Sequence, residues 1–81
     1  MQPRDRFSAN LKQARKRAGI SQEELSRRCD VHRTEISLLE RAGREPRLGT
    51  IVKLAAGLGV SVESLCVGMS WNVDSQQFRF R

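Results

Sequence analysis

The sequence has little of what metal, disulfide or thiol chemistry requires. It contains one histidine, two cysteines, three phenylalanines, one tryptophan and no tyrosine. Cys29 and Cys66 lack C-x-x-C spacing, and His32 is the one residue that could join them as a zinc ligand. We therefore expect buried, reduced thiols, no metal site and no cofactor. Because aromatic residues are scarce, the core must be built mainly from leucine, isoleucine, valine and alanine.

What else is missing excludes several classes of protein. There is no second histidine, no glycine-rich phosphate loop and no nucleophile beside an evident base, so we do not expect an enzyme. No apolar run approaches the roughly 20 residues of a membrane span, and no signal peptide opens the chain. We expect a protein of the bacterial or phage-type cytosol. Its 81 residues suffice for one small core, and without a ligand domain we expect no small-molecule effector.

Charge is distributed unevenly along the chain. The formal net charge is +6, of which residues 1–20 carry an excess of +5, residues 21–48 none and residues 49–81 an excess of +1. A basic N-terminal segment is typical of proteins that bind a polyanion. The same run of charge would also suit a solvated helix face, so charge alone does not choose between the two interpretations.

Apolar residues at helical spacing predict five helices. The first lies between a cap at Asp5 and a stop at Gly19, and the second follows Ser21, which has the spacing of a capping box with Glu24. Asp30 is expected to take the left-handed conformation in the next turn. Helices two and three are predicted at residues 22–28 and 33–41, helix four within residues 48–60, and helix five from a cap at Ser61.

The last stretch, SWNVDSQQFRFR, changes from helical to alternating periodicity. Apolar residues alternate with polar ones on both sides of DSQQ, which suits a turn. These apolar residues are Trp71, Val73, Phe78 and Phe80. We expect a short β-hairpin within a tail of residues 69–81, which follows a helical domain of residues 1–68. Because such residues are costly to expose, the tail should either carry the dimer contact or pack onto helices one and five.

Helices two and three are short and joined by a tight turn, which is the arrangement of a helix-turn-helix. Val31, Ile36 and Leu39 give this unit an inner apolar face. The outer side of helix three carries Arg33, Thr34, Ser37, Leu38 and Arg41. Of these, Arg33, Thr34 and Leu38 are free to meet base edges in a DNA major groove. The guanidinium of Arg33 can donate two parallel hydrogen bonds to guanine, although a solvated surface arginine would suit the same position.

Three stretches together resemble the Cro/C1-type helix-turn-helix regulators, also called the XRE family. They are AGISQEEL at 18–25, VHRTEISLLERAGREP at 31–46 and IVKLAAGLGVSVESL at 51–65, and the resemblance spans residues 7–66, roughly three quarters of the chain. It implies an all-α fold, a compact five-helix, lambda-repressor-like DNA-binding domain, to which the alternating tail adds the short C-terminal β-hairpin. It also implies that helix three is the recognition helix.

The resemblance assigns roles to individual residues. The implied base contacts are Arg33, Thr34 and Leu38, and Ser37 on the same face of helix three is a further candidate. The implied contacts to the DNA backbone are Gln22, Arg44 and Arg47. Two further candidates for backbone contact come from their positions: His32, which could instead cap helix three, and Arg41 on the outer face. Arg15 and Glu40 match an internal ion pair between helices one and three. The chain departs from the family pattern at His32 and Arg47, where small polar caps are preferred, and at Asp30, which replaces a glycine.

We therefore expect a sequence-specific, double-stranded DNA-binding transcriptional regulator. One recognition helix reads too few base pairs for useful specificity, so a homodimer on a pseudo-palindromic operator is expected. The alternative is a protein-interaction module, such as an antitoxin or adaptor, that keeps the helix-turn-helix fold. The sequence names neither the operator nor the regulated gene, nor whether the regulator represses or activates.

Overall fold

The computed structural model describes all 81 residues and contains five helices followed by a two-stranded hairpin. The helices are α1 (Pro3–Ala18), α2 (Gln22–Cys29), α3 (Arg33–Glu40), α4 (Leu48–Leu58) and α5 (Val62–Leu65), and the strands are β1 (Met69–Asn72) and β2 (Gln77–Phe80). The predicted five-helix fold with a C-terminal hairpin is confirmed. None of the helices combines the length and the apolar character needed to cross a membrane.

The first helix begins earlier than predicted, because Asp5 is not its cap. Gln2 is the N-cap and Pro3 is the first helical residue, where a missing amide hydrogen costs nothing. Asp5 is the third helical residue, and its carboxylate accepts a hydrogen bond of 2.6 Å from the Gln2 amide. The helix ends as predicted at Gly19, whose φ of 70° is a left-handed conformation.

Local signals fix the turn between α2 and α3. Ser21 caps α2 by accepting a 3.0 Å hydrogen bond from the Glu24 amide. The other half of the predicted capping box is not formed, because the Glu24 carboxylate instead pairs with Arg28, 3.1 Å away, and with Arg27. Asp30 takes the left-handed conformation predicted for it, with φ of 54° and ψ of 44°. The chain therefore reverses between α2 and α3 without a glycine.

The core lies where all five helices meet. Its fully buried side chains are Leu11, Leu25, Ile36, Leu39, Leu54 and Leu65. Polar bonds fix α1 against the neighbouring helices: the Asn10 amide donates to the carbonyls of Leu65 (3.0 Å) and Val67 (2.9 Å) at the end of α5. The buried hydroxyl of Ser8 donates to the Glu40 carbonyl at 2.5 Å, which fixes the end of α3 against α1.

Helices α2 and α4 approach each other closely at Gly57. A Cβ atom at this position would lie 2.1 Å from the Cys29 sulfur, so no larger residue fits without movement. Cys29 is buried and Cys66 only partly so, which corrects the expectation of two buried thiols. Burial raises the pKa of both thiols, which keeps them protonated and weakly nucleophilic.

The hairpin forms as predicted, but its turn lies one residue earlier. Residues 73–76 form the turn, so Val73 belongs to the turn and not to the first strand, and its exposed fraction is 70%. Antiparallel pairing places Met69 opposite Phe80 and Trp71 opposite Phe78. Because side chains alternate along a strand, these four residues share one side of the hairpin, which we call the aromatic face.

Arg6 of α1 holds both ends of the hairpin. Its guanidinium lies under Gly68, where an added Cβ would be 3.2 Å from the Arg6 Nε, and it donates a hydrogen bond to the Arg81 carbonyl. The Arg81 amide in turn donates to the Gly68 carbonyl at 2.8 Å. Beyond this attachment the strands pack mainly on each other, and the molecule is 42 Å long but only 21 by 20 Å across.

Candidate nucleic-acid interface

The N-terminal half of α3 presents polar side chains to solvent. His32, Arg33 and Thr34 are exposed, Ser37 is half-buried, and these four residues line one shallow depression. The opposite side of the helix is anchored in the core by Ile36 and Leu39, as the helical spacing predicted. The inner face fixes the helix, and the outer face therefore remains open to a groove of DNA.

The guanidinium of Arg33 is held by no close partner. Its side chain is 61% exposed, and its Nη1 lies 4.0 Å from the Glu23 Oε1 across the turn of the motif. At that distance and exposure the attraction is weak, because solvent screens it. The planar fork is thus free to donate two parallel bonds to an acceptor pair.

His32 is the N-cap of α3, in the position where the family prefers serine or threonine. Its Nδ1 accepts a hydrogen bond of 3.1 Å from the Thr34 amide. An accepting Nδ1 carries no proton, so the neutral ring has its proton on Nε2. Because the residue is exposed and Nε2 makes no bond within the protein, the Nε2–H is available as a donor.

Leu38 lies differently from the polar residues of α3. It is half-buried, and its side chain folds back on Gly43, so that a Cβ at Gly43 would meet the Leu38 Cδ1 at 2.2 Å. The glycine after α3 therefore makes room for this leucine. The exposed remainder of the side chain offers only an apolar surface, which suits a thymine methyl group.

An ion pair links the motif to the first helix. Arg15 Nε donates to Glu40 Oε2 at 2.6 Å and Arg15 Nη2 to Glu40 Oε1 at 2.9 Å, and the two side chains are only 15% and 4% exposed. Arg15 Nη1 also donates to the Ile20 carbonyl at 2.9 Å. Burial alone would raise the pKa of Glu40, but its bonds to Arg15 and Gln22 outweigh burial and lower it. Glu40 is therefore ionised in the folded protein.

Gln22 completes this network. Its Nε2 donates to Glu40 Oε1 at 3.1 Å, and the residue is half-buried at the start of α2. One amide hydrogen and the side-chain carbonyl remain unused by the network, so the side chain can still meet a phosphate or steady a neighbour on α3. The sequence pattern did not indicate this bond to Glu40.

Three arginines follow α3, and each has a different environment. Arg41 is exposed, and its Nε donates to the Ser37 carbonyl at 3.3 Å. Arg44 Nη1 lies 3.1 Å from Glu35 Oε1, and 55% of its side chain is exposed. Arg47 is exposed at the N-cap of α4 and makes no capping bond with its side chain. All three can approach phosphates beside a docked α3.

Two acidic residues of the interface were missed by sequence reasoning. Glu35 holds Arg44 at 3.1 Å, and Glu23 lies 4.0 Å from Arg33. Neither pair has the regular spacing of an ion pair along one helix, because each joins a helix to a different segment. Only the three-dimensional arrangement shows that Glu35 pairs with the candidate DNA contact Arg44, and that Glu23 lies near Arg33 without holding it.

The exposed side of α1 is strongly basic. Lys12, Lys16 and Arg17 surround an open depression together with Ala9 and Gln13. None of these three basic groups has an acidic partner within 4.0 Å. Their field adds to the attraction for a polyanion. The structure contains no group of three or more histidine, cysteine, aspartate or glutamate residues that could hold a metal ion.

Comparison with known proteins defines the class of this fold and site. Residues 11–65 match the family model described as helix-turn-helix. Control protein C.BamHI of Bacillus amyloliquefaciens is 40% identical over 60 residues, which cover 73% of this chain and 74% of that protein. The chain therefore belongs to the helix-turn-helix family, in its XRE-type branch, and is a DNA-binding transcriptional regulator.

Solved structures of the same family have the same architecture. The hypothetical transcription factor NHTF from Neisseria superposes with a TM-score of 0.77 at 38% identity, covering 82% of this chain and 76% of that one. The restriction-modification controller protein C.AhdI from Aeromonas hydrophila superposes with a TM-score of 0.74 at 31% identity, covering 76% and 94%. Both relatives are named as regulators and neither as an enzyme.

Proposed function

We propose that this protein binds operator DNA as a homodimer, with α3 of each copy in the major groove, and thereby controls transcription in the cytosol. The observation that carries the proposal is the exposed polar depression on α3, fixed from behind by buried leucine and isoleucine. A helix held in this way can meet base edges without reorganising the protein core.

The proposed contacts divide into two groups. Base edges are read by Arg33, Thr34, Ser37 and Leu38. The DNA backbone is held by Gln22, His32, Arg41, Arg44 and Arg47. The exposed side chain of His32, whose Nδ1 alone is used in the cap, and the Arg33 fork, which has no close partner, support these roles. Backbone contacts fix the register, and base contacts carry the sequence preference.

A dimer follows from the size of α3. Its eight residues extend about 12 Å, which spans only a few base pairs of the groove. Two copies about 34 Å apart reach successive major grooves on one side of the duplex, which requires a pseudo-palindromic operator. We accordingly assign residues 1–68 to DNA binding and leave residues 69–81 free for contact between copies.

Similarity to named controllers suggests what is regulated. C.BamHI and C.MunI, the latter from a Mycoplasma species and 36% identical over 61 residues, are control proteins, and C.AhdI is a restriction-modification controller. We infer that this chain acts in the same kind of system, on promoters close to its own gene. Binding to the DNA upstream of its own reading frame, measured against unrelated fragments of equal length, tests this assignment.

Selection of bound fragments from a random DNA pool tests the function as a whole. The expected result is a pair of inverted half-sites at one fixed separation. If five to eight phosphates are neutralised, log affinity should fall with log salt at a slope of about −5 to −7. Absence of binding at low salt, or a flat dependence on salt, would favour the alternative of a protein-interaction module.

Two substitutions separate base reading from backbone contact. Arg33→Ala should flatten the preference at one base position of each half-site, worth about 1–3 kcal/mol of discrimination. Arg47→Ala should weaken binding to all sequences alike and make the salt slope shallower by about 2, because each copy of the dimer loses one phosphate contact. Arg79→Ala, on the exposed polar side of β2, is the matched arginine control. Equal loss on every sequence for both Arg33→Ala and Arg47→Ala would contradict the assigned roles.

A further inference from the structure

The chain does not cover the aromatic face of its own hairpin. Trp71 and Phe78 are each 47% exposed, although the two rings pack edge to face with centroids 4.9 Å apart. Phe80 continues the row, with its ring centroid 6.3 Å from that of Phe78. Only Met69, at the base of the hairpin, packs against the helical core. An apolar row therefore extends from the core into solvent.

The other side of the same hairpin has the opposite character. It consists of polar side chains, namely Ser70, Asn72, Gln77 and Arg79. A two-stranded hairpin is only marginally stable in water unless one side is covered. The segregation of apolar and polar residues to opposite sides is therefore what a hairpin needs when one side meets a partner and the other meets solvent.

Charge along the hairpin favours a second copy as that partner. Asp74 lies in the exposed turn, and the basic residue Arg81 lies at the open end. When two such hairpins pack face to face about a two-fold axis with their strands antiparallel, each turn lies beside the open end of the other. Asp74 of one copy then approaches Arg81 of the other, and the charges complement each other at both ends.

We propose that the aromatic face packs against the same face of a second copy and forms the dimer contact of this regulator. The inference rests on the proposed function: an inverted operator requires a two-fold dimer, and the hairpin contact would supply that symmetry. Arg6 is the positioning residue: it donates to the Arg81 carbonyl and lies close to Gly68, and so fixes the angle between the hairpin and α1. A fixed angle sets the separation of the two α3 helices.

The size of the face determines how strong the contact is. A large aromatic side chain carries about 150–250 Å² of surface, so Trp71 and Phe78 each expose roughly half of that amount. A standard stable interface covers about 800 Å² on each partner, which exceeds what these rings supply. The dimer is therefore expected to dissociate on dilution and to be reinforced when both copies lie on one operator.

The single tryptophan of the chain reports directly on this contact. Wild-type protein is diluted while the emission maximum of Trp71, its quenching by iodide and the sedimentation mass are recorded. The expected result is that the emission shifts to longer wavelength and quenching rises over the same concentrations at which the mass falls by half. A mass that halves without any change at Trp71 would place the contact elsewhere and overturn the inference.

A pair of substitutions on neighbouring strand positions provides the second test. Phe78→Ser should raise the dimer dissociation constant at least about 30-fold, and up to about 1,000-fold because the change occurs in both copies. Gln77→Ala, on the polar side, should leave it within about threefold of the wild type. Circular dichroism checks that the helices remain folded, and the dilution of wild-type protein stands independently of either variant.

DNA binding separates failure of this inference from failure of the proposed function. Monomeric Phe78→Ser should still prefer the same half-site sequence, with lower affinity for the full operator. A Phe78→Ser protein that dimerises like the wild type would refute the hairpin contact while leaving the regulator intact. Wild-type protein that dimerises through the hairpin but binds no DNA would instead refute the proposed function.

Discussion

Breaking the ion pair between Arg15 and Glu40 is expected to destabilise the fold strongly. In the variant Glu40→Ala, the Arg15 guanidinium loses both of its hydrogen bonds to the carboxylate, although its side chain is only 15% exposed. Removing one partner of a buried pair costs about 3–5 kcal/mol. We expect about 3 kcal/mol, at the lower end of that range, because Arg15 keeps its bond to the Ile20 carbonyl.

Thermal and urea denaturation followed by circular dichroism measure this loss. For a domain of this length each kcal/mol lowers the melting temperature by about 4–8 °C, so Glu40→Ala should melt about 12–24 °C below the wild type. The double variant Arg15→Met with Glu40→Leu should recover at least half of the loss, because neither charge then remains buried alone.

The matched control is an ion pair on the surface. Arg27 pairs with Glu24, but its side chain is 69% exposed. Arg27→Ala should therefore leave the melting temperature nearly unchanged, since solvent screens such pairs. If Glu40→Ala also melted within about 4 °C of the wild type, the ion pair would contribute no more than an exposed pair does, and the reasoning from burial would be refuted.

Three further predictions follow from the same geometry. Because the pKa of Glu40 is lowered in the folded protein, its contribution to stability is complete above about pH 4.3, the pKa of an unfolded glutamate. That contribution is lost as the pH falls through the pKa of the folded state. The urea midpoint of Glu40→Gln should therefore fall less steeply with acid than that of the wild type. Asp30→Gly should raise the free energy of unfolding by up to about 1 kcal/mol, because Asp30 holds a left-handed conformation that glycine adopts freely; an unchanged or lower melting temperature would contradict this. Arg47→Ser should stabilise α4 by about 1 kcal/mol, because serine supplies the N-cap hydrogen bond that Arg47 does not make. The same variant should bind all DNA sequences more weakly. A loss of stability would show that Arg47 has a structural role.

Local signals were sufficient to predict most of the fold. Ser21, Asp30 and Ser61 marked helix boundaries that the structure confirms, because caps and turns depend on neighbouring residues alone. The predicted start of α1 at Asp5 is wrong, because Pro3 at the first helical position is the stronger signal. The hairpin turn was misplaced by one residue because alternation continues into Val73.

The candidate site was less predictable, since its resting state depends on contacts between segments. The outward positions of Arg33 and Thr34 followed from helical spacing alone. By contrast, Leu38 folds back on Gly43, and Glu35 holds Arg44, although nothing in the linear pattern joins these residues. Such contacts arise from the path of the loop after α3, which spacing along a helix does not describe. The assigned DNA contacts therefore stay predictions until the variants are measured.

The close approach at Gly57 constrains how this family of chains can diverge. Because the Cys29 sulfur occupies the space that a methyl group at position 57 would need, the two positions share one fixed volume. Among homologous chains, a bulkier residue at 57 should coincide with a smaller one at 29, so that the two sites vary inversely in size. Paired substitutions at positions 29 and 57 would therefore show, without a structure, that α2 and α4 are in contact.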